Sequence, residues 1–208
     1  MGQLSHLATP TPTYDKRPGK TLGSCAHESP RCVTLAAMVA LAGPYFMFAT
    51  LLVISGLPKL SNPASTARAL EGIGLPPRRW LGQAVGVAEI VVGLSAIALG
   101  GRVPALAVAL LYAGFAGFVL VAIRSSTVKS CGCFGADDTP PSALHLVVDI
   151  AAAGFAAALV FNPIGDVTAV MGATPWAGIP LLLLVVLGAW LALMVLALLP
   201  AVFAEAKA

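Results

Sequence analysis

Two of the chain's four cysteines stand one residue apart in Ser130-Cys131-Gly132-Cys133-Phe134-Gly135. Cα atoms two positions apart are separated by at most about 7 Å, which overlaps the roughly 4.4–6.8 Å that a disulfide spans. An extended strand would send the two thiols to opposite faces, so closing the ring requires a bend. Gly132 permits that bend because it has no Cβ. A ring this small is strained, and a strained disulfide is easily reduced and prone to exchange. Lys129 favours the thiolate, while Asp137 and Asp138 oppose it, so the net shift has no definite sign. The motif has three readings: a redox-active pair, a static disulfide pinning a turn, and part of a metal site. The metal reading is the weakest, because a closed zinc site wants four ligands and only Cys131, Cys133 and His145 are close in sequence. Cys25 and Cys32 form a looser pair near the N-terminus and read as incidental thiols in a polar tail.

Three further residues carry chemistry in apolar surroundings. Glu89 and Asp149 each place a carboxyl group well inside an apolar run, at an insertion cost of about 3 kcal/mol. Glu89 shares a helical stripe with Gly82, Gly86 and Gly93. Small residues on such a stripe admit a neighbouring backbone, so Glu89 is expected to face protein. His145 lies one turn before Asp149 on the same face, where the carboxylate can hold the imidazole tautomer. Two roles fit these groups: polar glue between helices, or a proton pathway or pocket for a quinone-like ligand beneath the cysteine segment. Thiol oxidation releases protons that need an acceptor, which favours function for His145 and Asp149.

The elements that must position these groups follow from composition. The chain has 208 residues, 58% hydrophobic and only 10% charged, against about 25% charged in a soluble domain. A water-soluble enzyme and a nucleic-acid binder are thereby excluded, the latter also because no basic stripe exists. A spanning helix needs roughly 20 mostly apolar residues, and five stretches pass: residues 33–57, 80–99, 103–123, 142–161 and 176–199. None alternates with the period of a barrel strand. The expectation is an all-α integral membrane protein, with residues 1–32 a polar, disordered tail and residues 33–203 the transmembrane domain. Gly56 and Pro58 are expected to end the first span. Gly100-Gly101 leaves so short a turn that the second and third spans must be antiparallel neighbours. Trp80 and Trp176 read as interfacial anchors.

With five crossings, the connections 58–79 and 124–141 and the C-terminus share one side. That side holds seven Lys and Arg residues, counting Lys59, against five on the other. This is too even for the positive-inside rule to decide.

Ser55-Gly56-Leu57-Pro58-Lys59-Leu60, Glu89 followed by Gly93-Leu94, and Cys131-Gly132-Cys133-Phe134-Gly135 together resemble the MauE branch of the DoxX-like membrane proteins, which are methylamine-utilisation membrane proteins. The resemblance runs from about Val33 into the fifth span; the tail with Cys25 and Cys32 is not part of it. It implies a DoxX-like four-helix bundle core with a fifth C-terminal helix, in the inner (cytoplasmic) membrane. It further implies a role in maturing the disulfide-rich small subunit of methylamine dehydrogenase, together with a thioredoxin-like extracytoplasmic partner. Cys131 and Cys133 would then be the catalytic pair on the outer face, where disulfide chemistry belongs. The competing classes are a non-catalytic scaffold or transport helper, whose cysteines never change redox state, and a subunit of a quinol-linked respiratory complex.

Overall fold

The computed structural model describes residues 30–72, 74, 76–125 and 142–205. The cysteine segment around Cys131 and Cys133, with Lys129, Asp137 and Asp138, lies outside the described residues, as does the tail through Ser29. The described chain is helical throughout: α1 Pro30–Ser61, α2 Pro63–Glu71, α3 Arg79–Ala98, α4 Arg102–Arg124, α5 Ala143–Phe161, α6 Val167–Ala173, a 3-10 turn Pro175–Gly178, and α7 Ile179–Glu205. Five of these helices, α1, α3, α4, α5 and α7, are long and apolar enough to cross a membrane. The protein is an all-α, multi-pass membrane protein.

The first span does not stop at Gly56 and Pro58. Helix α1 runs on to Ser61 with Pro44 and Pro58 inside it. A proline deletes one backbone donor and crowds the preceding turn, a defect that neighbouring helices let a membrane helix tolerate. The Asn62 amide donates to the Pro58 carbonyl at 2.8 Å and closes the last turn. Lys59 is therefore a helical residue of the bundle and not a loop charge. The connection that follows is also ordered. Helix α2 starts on Pro63, a position where proline's missing donor costs nothing; it buries Ala67 and Ala69 and exposes Arg68.

Helix α1 is the centre of the bundle. It lies along α3 and also touches α5 and α7, while α4 pairs chiefly with α5. The α1–α3 seam is tight because both helices present glycine there. A Cβ on Gly56 would come within 2.7 Å of the Gly86 carbonyl oxygen, and one on Gly86 within 2.9 Å of the Gly56 carbonyl oxygen and of Lys59 Cβ. Tyr45, Phe46, Phe48 and Leu52 of α1 form the middle of the core with Val108 and Tyr112 of α4 and Ala152, Ala156 and Leu159 of α5.

Helices α3 and α4 are joined by Gly100 and Gly101, whose φ values of +60° and +81° suit a residue without Cβ. Gly100 packs against the Gly165 backbone, and the Gly101 amide donates to the Ile164 carbonyl at 2.9 Å. The two helices are neighbours, as the short turn requires, yet they touch each other far less than α3 touches α1. The outer surface is apolar: Leu183, Leu187, Trp190 and Leu191 of α7 are all more than half exposed, as befits side chains solvated by lipid.

Candidate functional site

Glu89 is 1% exposed, as its glycine stripe leads one to expect, and its partner is Lys59. The Lys59 Nζ donates to Glu89 Oε1 at 2.6 Å and Oε2 at 2.7 Å, and to the Ser55 carbonyl at 3.3 Å. An ammonium group has three hydrogens, the same number as these three acceptors. Nζ also lies 5.7 Å from the centroid of the Phe115 ring, within the range where the ring's quadrupole attracts a cation. Gly86 makes the arrangement possible, since a side chain there would collide with the Lys59 stem. Charges in hydrocarbon are tolerated only when paired. Here α1 supplies one and α3 the other, which locks the two helices in one register.

The pair sits on the wall of a cavity of about 540 Å3, within the roughly 300–1,000 Å3 range of small-molecule sites. The cavity occupies the gap that α3 and α4 leave between them. Its lining comes from the half of α3 remote from the Gly100–Gly101 turn, Leu81 to Glu89, and from the middle of α4, Leu110 to Phe118. Ser55 and Lys59 close the back, while Thr66 and Leu70 of α2 and Leu196 of α7 complete the wall. Tyr112, Phe115 and Phe118 face it from α4. The Tyr112 hydroxyl donates to the Phe48 carbonyl at 2.8 Å and ties α4 to α1.

The expected pairing of His145 with Asp149 is not what the structure shows. His145 Nδ1 shares a 2.8 Å hydrogen bond with Ser142 Oγ, its direction set by the ring tautomer, and Ser142 Oγ also accepts from the His145 amide at 3.5 Å. Ser142 is the N-cap of α5, and a capping hydroxyl reaches the ring more directly than a carboxylate on the next turn. His145 is 3% exposed, and Nε2 has no hydrogen-bond partner. Asp149 is half buried and interacts with neighbouring groups. Neither residue lines the cavity; Val148 of the same helix does. Of the intramembrane residues singled out in the sequence, the cavity therefore takes Glu89 alone. It adds Lys59, which the sequence reading had placed in a loop. A buried acid calls for a cation, but nothing in the sequence singles out Lys59 over Arg78, Arg79 or Arg102, which are nearer to Glu89 along the chain.

Among the described residues no cluster of His, Cys, Asp and Glu could hold a metal ion. Cys32 falls in the first turn of α1. Trp80, at the start of α3, is 57% exposed, and Trp176, before α7, is 83% exposed with φ +58°.

Fold and site define a multi-pass helical membrane protein with a neutralised charge pair on the wall of a ligand-sized apolar cavity. The family model for the methylamine utilisation protein MauE matches residues 36–162, and the chain belongs to that family. The match runs from α1 through the end of α5 and includes Lys59, Glu89, the cysteine pair, His145 and Asp149. Membership ties the chain to methylamine utilisation. Neither the curated proteins nor the solved structures give a significant match.

Proposed function

We propose that this protein is a membrane component of thiol–disulfide exchange that assists maturation of an extracytoplasmic disulfide-bonded protein. By family, that protein is the small subunit of methylamine dehydrogenase. In the exchange, a thiolate of a thioredoxin-like partner attacks the Cys131–Cys133 disulfide to give a mixed disulfide. The partner's second thiolate then attacks that bond, so the partner leaves oxidised and Cys131 and Cys133 leave as thiols. No net electrons are lost; two pass from partner to membrane protein. The partner carries the disulfide on to the substrate protein.

The observation that supports this most is where the motif joins the bundle. The segment bearing Cys131 and Cys133 leaves α4 after Arg124 and re-enters α5 at Ser142. On the same side of the bundle the cavity takes lining from α2, from Lys59 near the end of α1 and from the first half of α3. His145, buried with Nε2 unengaged, stands one turn inside α5 at the same end. The two ends of that segment are thus tied to the half of the bundle that holds the His145 ring and the apolar cavity.

The test is to replace each cysteine with serine and isolate the protein from cells under acid quench. A single-cysteine variant is expected to accumulate a mixed disulfide with a small soluble partner, seen as a reducible mass shift. Alkylation of the wild type is expected to find both reduced and oxidised Cys131–Cys133. Undiminished substrate oxidation in the Cys131→Ser/Cys133→Ser double variant, or a pair fixed in one redox state throughout growth, would sink the proposal.

A further inference from the structure

The cavity between α3 and α4 has a chemistry that selects its occupant. We infer that it binds the headgroup of a membrane-soluble quinone, and that it holds the hydroquinone form more tightly than the quinone. The assignment of this occupant as electron acceptor rests on the thiol–disulfide reading above; the binding itself does not.

Three features of the wall argue for it. The first is charge. Lys59 and Glu89 neutralise each other across 2.6–2.7 Å, so an anionic or cationic ligand would bring an uncompensated charge into a low-dielectric site. The occupant is neutral. The second is hydrogen-bond sign. Ser55 O and the two Glu89 oxygens take the three hydrogens of Nζ, which leaves the ammonium group no donor to offer. Each carboxylate oxygen has about two acceptor sites, so Glu89 keeps capacity to accept a hydrogen from an occupant. A ring hydroxyl can donate to Glu89, which a ring carbonyl cannot do. The third is shape. Tyr112, Phe115 and Phe118 present aromatic rings from one helix face, and aromatic pairs favour offset or edge-on ring contacts. A flat, neutral, oxygen-bearing ring dissolved in the bilayer meets all three conditions. A phospholipid acyl chain is neutral and meets the first, but it has no hydroxyl for Glu89 and no flat ring.

The electron balance closes with the same molecule. When Cys131 and Cys133 are reoxidised, two S–H bonds break and one S–S bond forms, releasing two electrons and two protons. A quinone that takes all four becomes a hydroquinone, and both ring carbonyls become hydroxyls. A site that prefers the product form makes the bound couple a stronger oxidant: a tenfold preference raises its potential by about 30 mV.

The test uses the full chain in phosphatidylcholine nanodiscs, with decyl-ubiquinone and its chemically reduced form as probes and empty nanodiscs as the partition blank. Gly114 lines the cavity, and a Cβ on it meets open space. Gly114→Leu therefore introduces bulk at the cavity from a position where the added Cβ meets no neighbour. Gly117 also faces open space on α4 but does not line the cavity, so Gly117→Leu is the matched control. We expect saturable binding of one probe per chain, tenfold or more tighter for the reduced form. Gly114→Leu should weaken it at least tenfold, and Gly117→Leu should leave it unchanged. The Cys131→Ser/Cys133→Ser variant should bind like the wild type, which separates this site from the cysteine chemistry. Binding no greater than the blank overturns the inference, as does equal binding by Gly114→Leu or a tightly held phospholipid that decyl-ubiquinone cannot displace. Quinone binding without oxidation of the Cys131–Cys133 thiols would overturn the electron-acceptor assignment and leave the thiol-exchange reading to its own mixed-disulfide test.

Discussion

The Lys59–Glu89 pair is where single residues decide most. Moving two ions out of water costs several kcal/mol each, and close pairing offsets much of it. Breaking such a pair leaves one bare charge in hydrocarbon. Glu89→Leu or Lys59→Met alone is thus expected to lower unfolding stability in detergent by about 3–5 kcal/mol. The double variant Lys59→Met/Glu89→Leu should recover most of that, because apolar groups of similar volume replace the pair without a stranded ion. Recovery of stability without recovery of quinone binding would show that the pair is kept for its site and not for the fold. A double variant less stable than either single one would refute that view. Glu89 could be found from the sequence because an acid in an apolar run stands out. Lys59 could not, because Pro58 beside it looks like a helix end and lysine near a span end ordinarily reaches the interface. His145 was visible for the same reason as Glu89. Its partner is not legible there, because the N-cap hydroxyl of Ser142, one turn earlier, engages Nδ1.

At the scale of elements, the stability of the bundle is concentrated in the seam between α1 and α3. Gly56 and Gly86 let the two backbones touch, so a methyl group at either position must push the helices apart. Gly56→Ala is expected to destabilise by about 1–3 kcal/mol, the usual range for overpacking. Gly114→Ala should instead stabilise by up to about 1 kcal/mol through helix propensity, since its Cβ enters open space. Thermal unfolding of the two variants side by side checks the pair of signs; equal effects would mean the seam is not close-packed. Tyr112→Phe removes the hydroxyl that ties α4 to α1 and should cost about 0.5–1.5 kcal/mol. Hydropathy located all five spans, because hydrocarbon thickness fixes helix length so firmly. The stripe of Gly82, Gly86 and Gly93 identified the packed face of α3, but no pattern in one helix names the helix it packs on. Helix α2 escaped notice altogether. It is only nine residues long and polar enough to read as loop, and it forms because Pro63 starts it and the surface of α3 at Gly82 receives it.

For the molecule as a whole, the distribution of charge bears on which end of the bundle faces out. The structure changes the charge count, because Lys59 is buried and neutralised by Glu89 and no longer belongs to a loop. The side holding α2 and the connection after Arg124 then carries Arg68, Arg78, Arg79, Arg124, Lys129 and Lys207. The other side carries Lys16, Arg17, Lys20, Arg31 and Arg102. Six against five gives the positive-inside rule less purchase than before, so chemistry must decide. The proposed exchange requires a compartment where thiols are not continuously reduced, and under that proposal the cysteine segment, the α1 C-terminus and the cavity's half of the bundle belong on the extracytoplasmic side. An alkaline phosphatase reporter fused after Thr139 is expected to be active, and one fused after Gly101, between α3 and α4, inactive. The reverse pattern would leave Cys131 and Cys133 in the reducing cytoplasm. Disulfide delivery to an extracytoplasmic protein would then be impossible from that site, while the cavity between α3 and α4 would keep its quinone chemistry from the opposite face.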